Sequence, residues 1–170
     1  MKSLSHYLIP DLICEEVYDV PFSDFLKKGV KAVVFDIDNT LVPYDVATPT
    51  EKVQELLSSL KEMGFRIAFV SNNTPERVGT FNESLGFFAV PDSHKPLKKA
   101  LAPVFAQFEI LPEELLLVGD QLLTDVLCAR VNRTHVVSVS PIKKVETRFF
   151  RFKRWIEKPF IRAYYKKNGK

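Results

Sequence analysis

Four short, almost uninterrupted apolar runs punctuate the chain: Lys31-Ala-Val-Val-Phe-Asp-Ile, Phe65-Arg-Ile-Ala-Phe-Val-Ser, Glu114-Leu-Leu-Leu-Val-Gly-Asp and Thr134-His-Val-Val-Ser-Val. Strands of a parallel sheet read this way, because helices cover both of its faces. Helical segments with legible ends lie between them. Thr48-Pro49-Thr50-Glu51 supplies an N-cap, a proline at the first helical position and a capping-box acid. Val53, Leu56, Leu57, Leu60 and Met63 then keep helical spacing up to Gly64. A second helix is expected from Thr74-Pro75 to Gly86. A third runs from Pro96 to Phe108, with Pro103 kinking or shortening it, and a fourth from Asp120 to Val131. The N-terminal stretch from Tyr7 is expected to pack on the domain, with a helix near Pro21–Lys28. Strands alternating with helices predict an α/β fold, a doubly wound, mostly parallel sheet with helices on both faces. The expected organisation is an N-terminal segment at 1–29, a core at 30–141 and a helical tail at 142–170.

The size, 170 residues, suits one such domain, and 46% hydrophobic with 26% charged residues excludes a disordered or collagenous chain. No apolar run approaches the ~18 residues that span a bilayer, and the N-terminal apolar stretch is too short for a signal peptide. Cys14 and Cys128 are too few for a disulfide framework. These features predict a reduced, cytoplasmic protein. The net charge of +3 conceals an asymmetry. Residues 1–141 hold 13 basic against 19 acidic side chains, a net of −6, while residues 142–170 hold 11 against two, a net of +9.

Polar chemistry gathers where the strands end, which is where open α/β sheets bind ligands. Asp36-Ile37-Asp38-Asn39-Thr40 closes the first run. Strand alternation puts Asp36 and Asp38 on one side, about 6.5–7 Å apart at Cα, and carboxylates that close call for a cation or a shared proton. Ser71-Asn72-Asn73 closes the second run, ahead of a helix whose free N–H groups suit a phosphate. Lys95 precedes Pro96 at the expected start of the third helix. Gly119-Asp120 closes the third run, with Asp125 five residues beyond Asp120. Each feature alone has an ordinary explanation as a turn, a cap or a solvated lysine. Together they form an all-oxygen site with a lysine, suited to Mg²⁺ and a phosphoryl group.

In that order these segments resemble the haloacid dehalogenase (HAD) superfamily of phosphatases. Asp36-Ile-Asp-Asn-Thr-Leu is similar to its first motif, Ser71 to the second, Lys95 to the third, and Gly119-Asp120-Gln-Leu-Leu-Thr-Asp125 to the fourth. The flanks of these motifs more narrowly resemble the bacterial YqeG group, itself similar to phosphatidylglycerophosphate phosphatases. The resemblance implies Asp36 as nucleophile and Asp38 as general acid and base. It implies Mg²⁺ held by Asp36, the Asp38 carbonyl and Asp120, with Asp125 assisting, and phosphate held by Ser71, the backbone near Asn72, and Lys95. Only Leu41 to Thr48 separates the first motif from its helix, and 23 residues separate Ser71 from Lys95. Neither gap holds a cap domain, so a large substrate or a partner surface is expected to close the site.

The tail carries the remaining substrate clue. Val145, Phe149, Phe152 and Ile156 recur at helical spacing, with Lys144, Arg148, Arg151 and Lys158 largely outside that stripe and Trp155 as an anchor. Pro159 is expected to break the helix. Basic residues opposite aromatic anchors describe a helix on anionic lipid, placing the protein peripherally on the inner face of the membrane, with a phosphorylated lipid head group as substrate. A tail packed on its own domain is the competing reading, and nucleic acid is the least favoured partner. The alternatives for function are a HAD phosphatase acting on a nucleotide, sugar or protein phosphate, and a non-catalytic HAD-fold protein binding RNA, the ribosome or a protein.

Overall fold

The computed structural model describes residues 7–143 and 148–168. Among them are six strands: β1 (Leu12–Cys14), β2 (Ala32–Phe35), β3 (Arg66–Val70), β4 (Phe88–Val90), β5 (Leu115–Gly119) and β6 (His135–Val139). They form one sheet in the order β1-β6-β5-β2-β3-β4, with every pairing parallel. The helices are α1 (Phe22–Lys27), α2 (Glu51–Glu62), α3 (Pro75–Asn82), α4 (Ala102–Phe108), α5 (Leu127–Asn132) and α6 (Arg148–Lys167).

The apolar runs are continuous because alternate residues feed two cores. Val33 and Phe35 of β2 join Ile67, Phe69, Leu116 and Val118 under α1, α2 and α3. Ala32 and Val34 join Ala68, Val70, Leu115 and Leu117 under α4 and α5, where Phe160 and Ile161 of α6 also pack. All four β2 residues are fully buried, and each side chain of valine size or larger contributes about 1.5–3 kcal/mol by burial. The chain leaves β2 for β3 on one side and returns to β5 on the other, so the topological switch lies between the ends of β2 and β5. A crevice opens there in such sheets.

Five expectations change. The first long helix, α2, starts two residues late: Thr50 rather than Thr48 is its N-cap, with Oγ1 accepting from Val53 N–H at 3.3 Å, and Pro49 precedes the helix. The sheet gains β1 and β4, three-residue edge strands too short for a sequence pattern to separate from loop. The third helix starts at Ala102 rather than Pro96: Pro103 shortens it, as expected, by standing in the first turn of α4 where a missing N–H costs nothing, and Lys98–Ala100 forms a separate 3₁₀ turn. The segment after Asp120 opens as a wide π turn over Leu122–Val126 before α5. Pro159 does not break the tail, since α6 runs through it from Arg148 to Lys167. Pro159 is exposed, and the packing of Phe160, Ile161 and Tyr164 beyond it holds the second half of the helix in place. Lys144, Val145 and the side chains of Arg148, Phe149, Arg151 and Phe152, on which the predicted lipid stripe drew, lie outside what the structure describes.

Candidate active site

The site is built on the paired ends of β2 and β5. Phe35 stands level with Val118, and Asp36 N–H donates to Val118 O at 2.9 Å, which sets Asp36 beside Gly119-Asp120. Asn39 then adopts a left-handed backbone at φ 64°, a conformation asparagine tolerates. That turn brings the chain back, with Asn39 N–H donating to Val42 O at 2.7 Å.

Asp36, Asp120 and Asp125 are all buried, and each offers a carboxylate oxygen within 4.8 Å of the others. Lys95 reaches into the cluster, its Nζ 2.8 Å from Asp36 Oδ1 and 2.7 Å from Asp125 Oδ1. Burial pushes the Asp36 carboxyl up to about 8; Lys95 pulls against this, while Asp125 and Asp120 add to it. Burial opposes the Lys95 ammonium too, but Asp125 and Asp36 outweigh it and hold its pKa above the ordinary lysine range. Three buried carboxylates thus gather around the Lys95 ammonium. An all-oxygen donor set of this kind fits a hard divalent cation such as Mg²⁺.

Gly119 permits the arrangement. A Cβ there would stand 2.4 Å from Asp125 Cγ, so only glycine lets the Asp125 carboxylate fold back against β5. In that position Asp125 Oδ2 accepts from Gln121 N–H at 3.1 Å while Oδ1 faces Lys95.

The end of β3 supplies the opposite wall. Ser71 is buried, and its Oγ accepts from Asn73 N–H at 3.1 Å. The Asn72 side chain is committed to the Lys95 segment: Oδ1 accepts from Lys95 N–H and Ser93 Oγ, and Nδ2 donates to Lys95 O. Asn72 therefore braces the lysine as well as lining the pocket. The pocket, ≈ 210 Å³, is lined by Asp36, Asp38, Ser71, Asn72 and Lys95 among others, with Tyr44, Gln121 and Thr124 at its sides. It is smaller than the roughly 300 Å³ at which drug-sized sites begin, which suits a phosphoryl group and the first atoms of its ester. All seven predicted site residues gather at this crevice: five line the pocket, and Asp120 and Asp125 stand beneath it in the carboxylate cluster.

Asp38 is held by residues that the sequence reading did not single out. Arg77 donates to Asp38 Oδ1 through Nε at 3.2 Å and Nη2 at 2.8 Å, and Asn73 Nδ2 donates to Oδ2 at 3.0 Å. Arg77 also donates to Ala47 O and Val46 O, tying the loop after β2 to α3. Its signal was a misplaced charge. Arg77 lies in the first turn of a helix capped by Thr74, where the dipole disfavours a cation unless an acid faces it.

His94 is exposed and precedes Lys95 in the chain, while His135 lies at the start of β6 near Asp11. Cys14 and Cys128 are buried free thiols.

The relatives follow this geometry. Residues 43–131 match the family of haloacid dehalogenase-like hydrolases. The chain is 32% identical over 164 residues to the "Probable phosphatase YqeG" of Bacillus subtilis, covering 96% of this chain and 95% of that protein. It is 26% identical over 143 residues to the chloroplastic "Phosphatidylglycerophosphate phosphatase 1" of Chlamydomonas reinhardtii, covering 79% of this chain but 53% of the algal protein. A HAD phosphatase from Thermococcus onnurineus shares the fold, with a TM-score of 0.56 at 15% identity over 70% of this chain and 90% of that one. With a phosphatase alike along almost its whole length and the family's core matched through more than half of it, this chain belongs to the haloacid dehalogenase-like hydrolases and is a phosphoric monoester hydrolase.

Proposed function

We propose that the protein is an Mg²⁺-dependent phosphomonoesterase that works through an aspartyl-phosphate and dephosphorylates phosphatidylglycerophosphate at an anionic membrane surface. The observation that carries the chemistry is the juxtaposition of Asp36 with Lys95 and two further buried carboxylates at the floor of a pocket that Asp38 also lines. Asp36, Asp120 and Asp125 would hold Mg²⁺, which when bound neutralises charge on the cluster and on the phosphoryl group. A carboxylate oxygen of Asp36 attacks phosphorus as the ester P–O bond breaks. Asp38 gives its proton to the departing alcohol oxygen, then takes one from the water that attacks phosphorus. The P–O bond to Asp36 breaks, phosphate leaves, and the Asp36 carboxylate returns. Lys95 and the Ser71–Asn73 wall face the oxygens of the transferred group, where fixed donors lower the barrier most.

Two observations support the lipid. Trp155 is 66% exposed, and Lys158, Arg162 and Lys166 are exposed at the following helical intervals of α6. That outward face combines an aromatic anchor with basic residues, the pattern of an interfacial helix on anionic lipid. The algal relative is named for phosphatidylglycerophosphate. No helix among the described residues is long and apolar enough to cross a membrane, so α6 would lie on the surface.

The deciding experiment is phosphate release from phosphatidylglycerophosphate in mixed micelles, with and without Mg²⁺, beside Asp36→Asn. Release that needs Mg²⁺ and vanishes in the variant is the expected result. Release from an aryl phosphate but not from the lipid would overturn the substrate, and activity retained by Asp36→Asn would overturn the nucleophile.

A further inference from the structure

The turn that carries Asp120 and Asp125 begins with backbone donors that its own residues leave unmet. The first N–H groups of any helical turn lack partners within it. Gln121, at the N-cap, makes no side-chain capping bond. Its own N–H goes to Asp125 Oδ2. The next two donors, Leu122 N–H and Leu123 N–H, go to Glu157 Oε1 at 2.9 and 3.3 Å. Glu157 lies on α6, 35 residues beyond Leu122, and is 0% exposed.

A carboxylate here runs against the character of its segment. Residues 142–170 hold 11 basic side chains, and Glu146 and Glu157 are their only acids. The buried one points inward at the start of a helical turn, where negative charge is favoured. The helix beneath it is fixed on the same side. Phe160 and Ile161 pack on the core under α4 and α5, and Tyr164 Oη accepts from Ile13 N–H of β1 at 3.2 Å.

We propose that Glu157 is a positioning residue for the cation site: the C-terminal helix supplies the carboxylate that caps the Asp120–Asp125 turn and holds both acids at the distance a divalent ion needs. The proposal rests on the reading of Asp36, Asp120 and Asp125 as cation ligands. It makes α6 part of the active site from behind, whatever its outward face meets. Partners that orient ligating carboxylates typically govern about 10–100-fold in metal affinity.

The test is a calorimetric titration of the full-length protein with Mn²⁺, without substrate, for the wild type, Glu157→Leu and Glu157→Gln. Leucine keeps the buried volume and removes the acceptor, whereas glutamine restores an acceptor oxygen. Glu157→Leu should bind Mn²⁺ about 10–100-fold more weakly than the wild type, with Glu157→Gln between them. Amide hydrogen exchange should speed up at Leu122 and Leu123 while β2 stays protected. A folded Glu157→Leu with the wild-type dissociation constant would overturn the proposal and leave Glu157 a staple for the tail. If Glu157→Leu does not fold, Glu157→Gln decides, and wild-type values for both Mn²⁺ affinity and Leu122/Leu123 exchange overturn it. No Mn²⁺ binding by the wild type would instead strike down the cation reading itself, and the proposal with it.

Discussion

Replacing Lys95 by methionine should destabilise the cation-free protein by about 3–5 kcal/mol, the usual cost of removing one partner from a buried ionic cluster. The Lys95 ammonium stands 2.8 and 2.7 Å from two carboxylates, with its side chain 2% exposed. At an effective dielectric near 20 each contact between full charges carries roughly 6 kcal/mol of attraction, and the desolvation of the lysine cancels much of that sum. Methionine fills most of the volume, so little of the loss comes from a cavity. What remains is Asp36 and Asp125, beside Asp120, without the Lys95 ammonium that faced them. A domain of this size loses about 2–4 °C of midpoint per kcal/mol. The thermal midpoint in EDTA should therefore fall by roughly 6–20 °C. On the proposed reading Mg²⁺ would enter the same carboxylates, so saturating Mg²⁺ should raise the midpoint of Lys95→Met more than that of the wild type. Circular dichroism melts of both proteins, in EDTA and in Mg²⁺, give the four midpoints required. Equal midpoints for the two proteins in EDTA would refute the electrostatic account, and equal Mg²⁺ shifts would show that lysine and cation do not serve the same charges.

Gly119→Ala should displace Asp125 from its place against β5, lowering stability by about 1–3 kcal/mol and weakening Mn²⁺ binding; urea midpoints and calorimetry check both, and an unchanged Mn²⁺ affinity counts against the close approach. Arg77→Ala should lower kcat on an aryl phosphate by about 10² through misplacement of Asp38, with a smaller change in KM; a kcat like the wild type's would show that Asp38 orients itself. The raised pKa of Asp36 sets a pH dependence. Its folded value of about 8 lies above its ordinary 3.8, so its contribution to stability is complete below pH ~4 and is lost as pH climbs towards 8. In EDTA the wild-type midpoint should fall across that window relative to Asp36→Asn, and parallel curves for the two proteins would contradict the assignment.

The centre of the molecule was legible because its signals are local. Two-faced burial wrote β2, β3, β5 and β6 as unbroken apolar runs, and Thr74-Pro75 wrote the start of α3, whereas the start of α2 was read two residues early because Thr48 and Thr50 offer the same capping chemistry. The acids and Lys95 were legible because the chemistry sits at strand exits, where the motif spacing follows from the topology. What escaped depends on long-range pairing. β1 and β4 exist because β6 and β3 offer them an edge. Arg77 matters through a partner 39 residues away and Glu157 through donors 35 and 34 residues away. Pro159 misled because proline is a local signal, whereas α6 is held by Phe160, Ile161 and Tyr164 packing beyond it. The charge asymmetry pointed at the tail, but a net charge does not say that the same helix buries an acid on its inner side.

On the proposed reading, selectivity would come from the walls of the mouth, since neither the segment after β2 nor the one after β3 holds a cap domain. Tyr44, exposed on the loop after β2, forms one wall of the pocket. Two ties fix that loop. Arg77 holds the Val46 and Ala47 carbonyls from the α3 side. The chain leaving β6 holds it from the other side, with Ile142 N–H donating to Asn39 O at 3.1 Å and Lys143 Nζ 2.6 Å from Asp45 Oδ2. The ion pair is more than half exposed at both ends, and pairs of that kind contribute about 0–1 kcal/mol, so the backbone contact to Asn39 carries most of this second tie. The segment that leads into the basic helix thus shapes the pocket edge before α6 caps the Asp120–Asp125 turn. A head group held in a lipid surface could approach such a mouth without a lid, because the surface itself would exclude water from the open side.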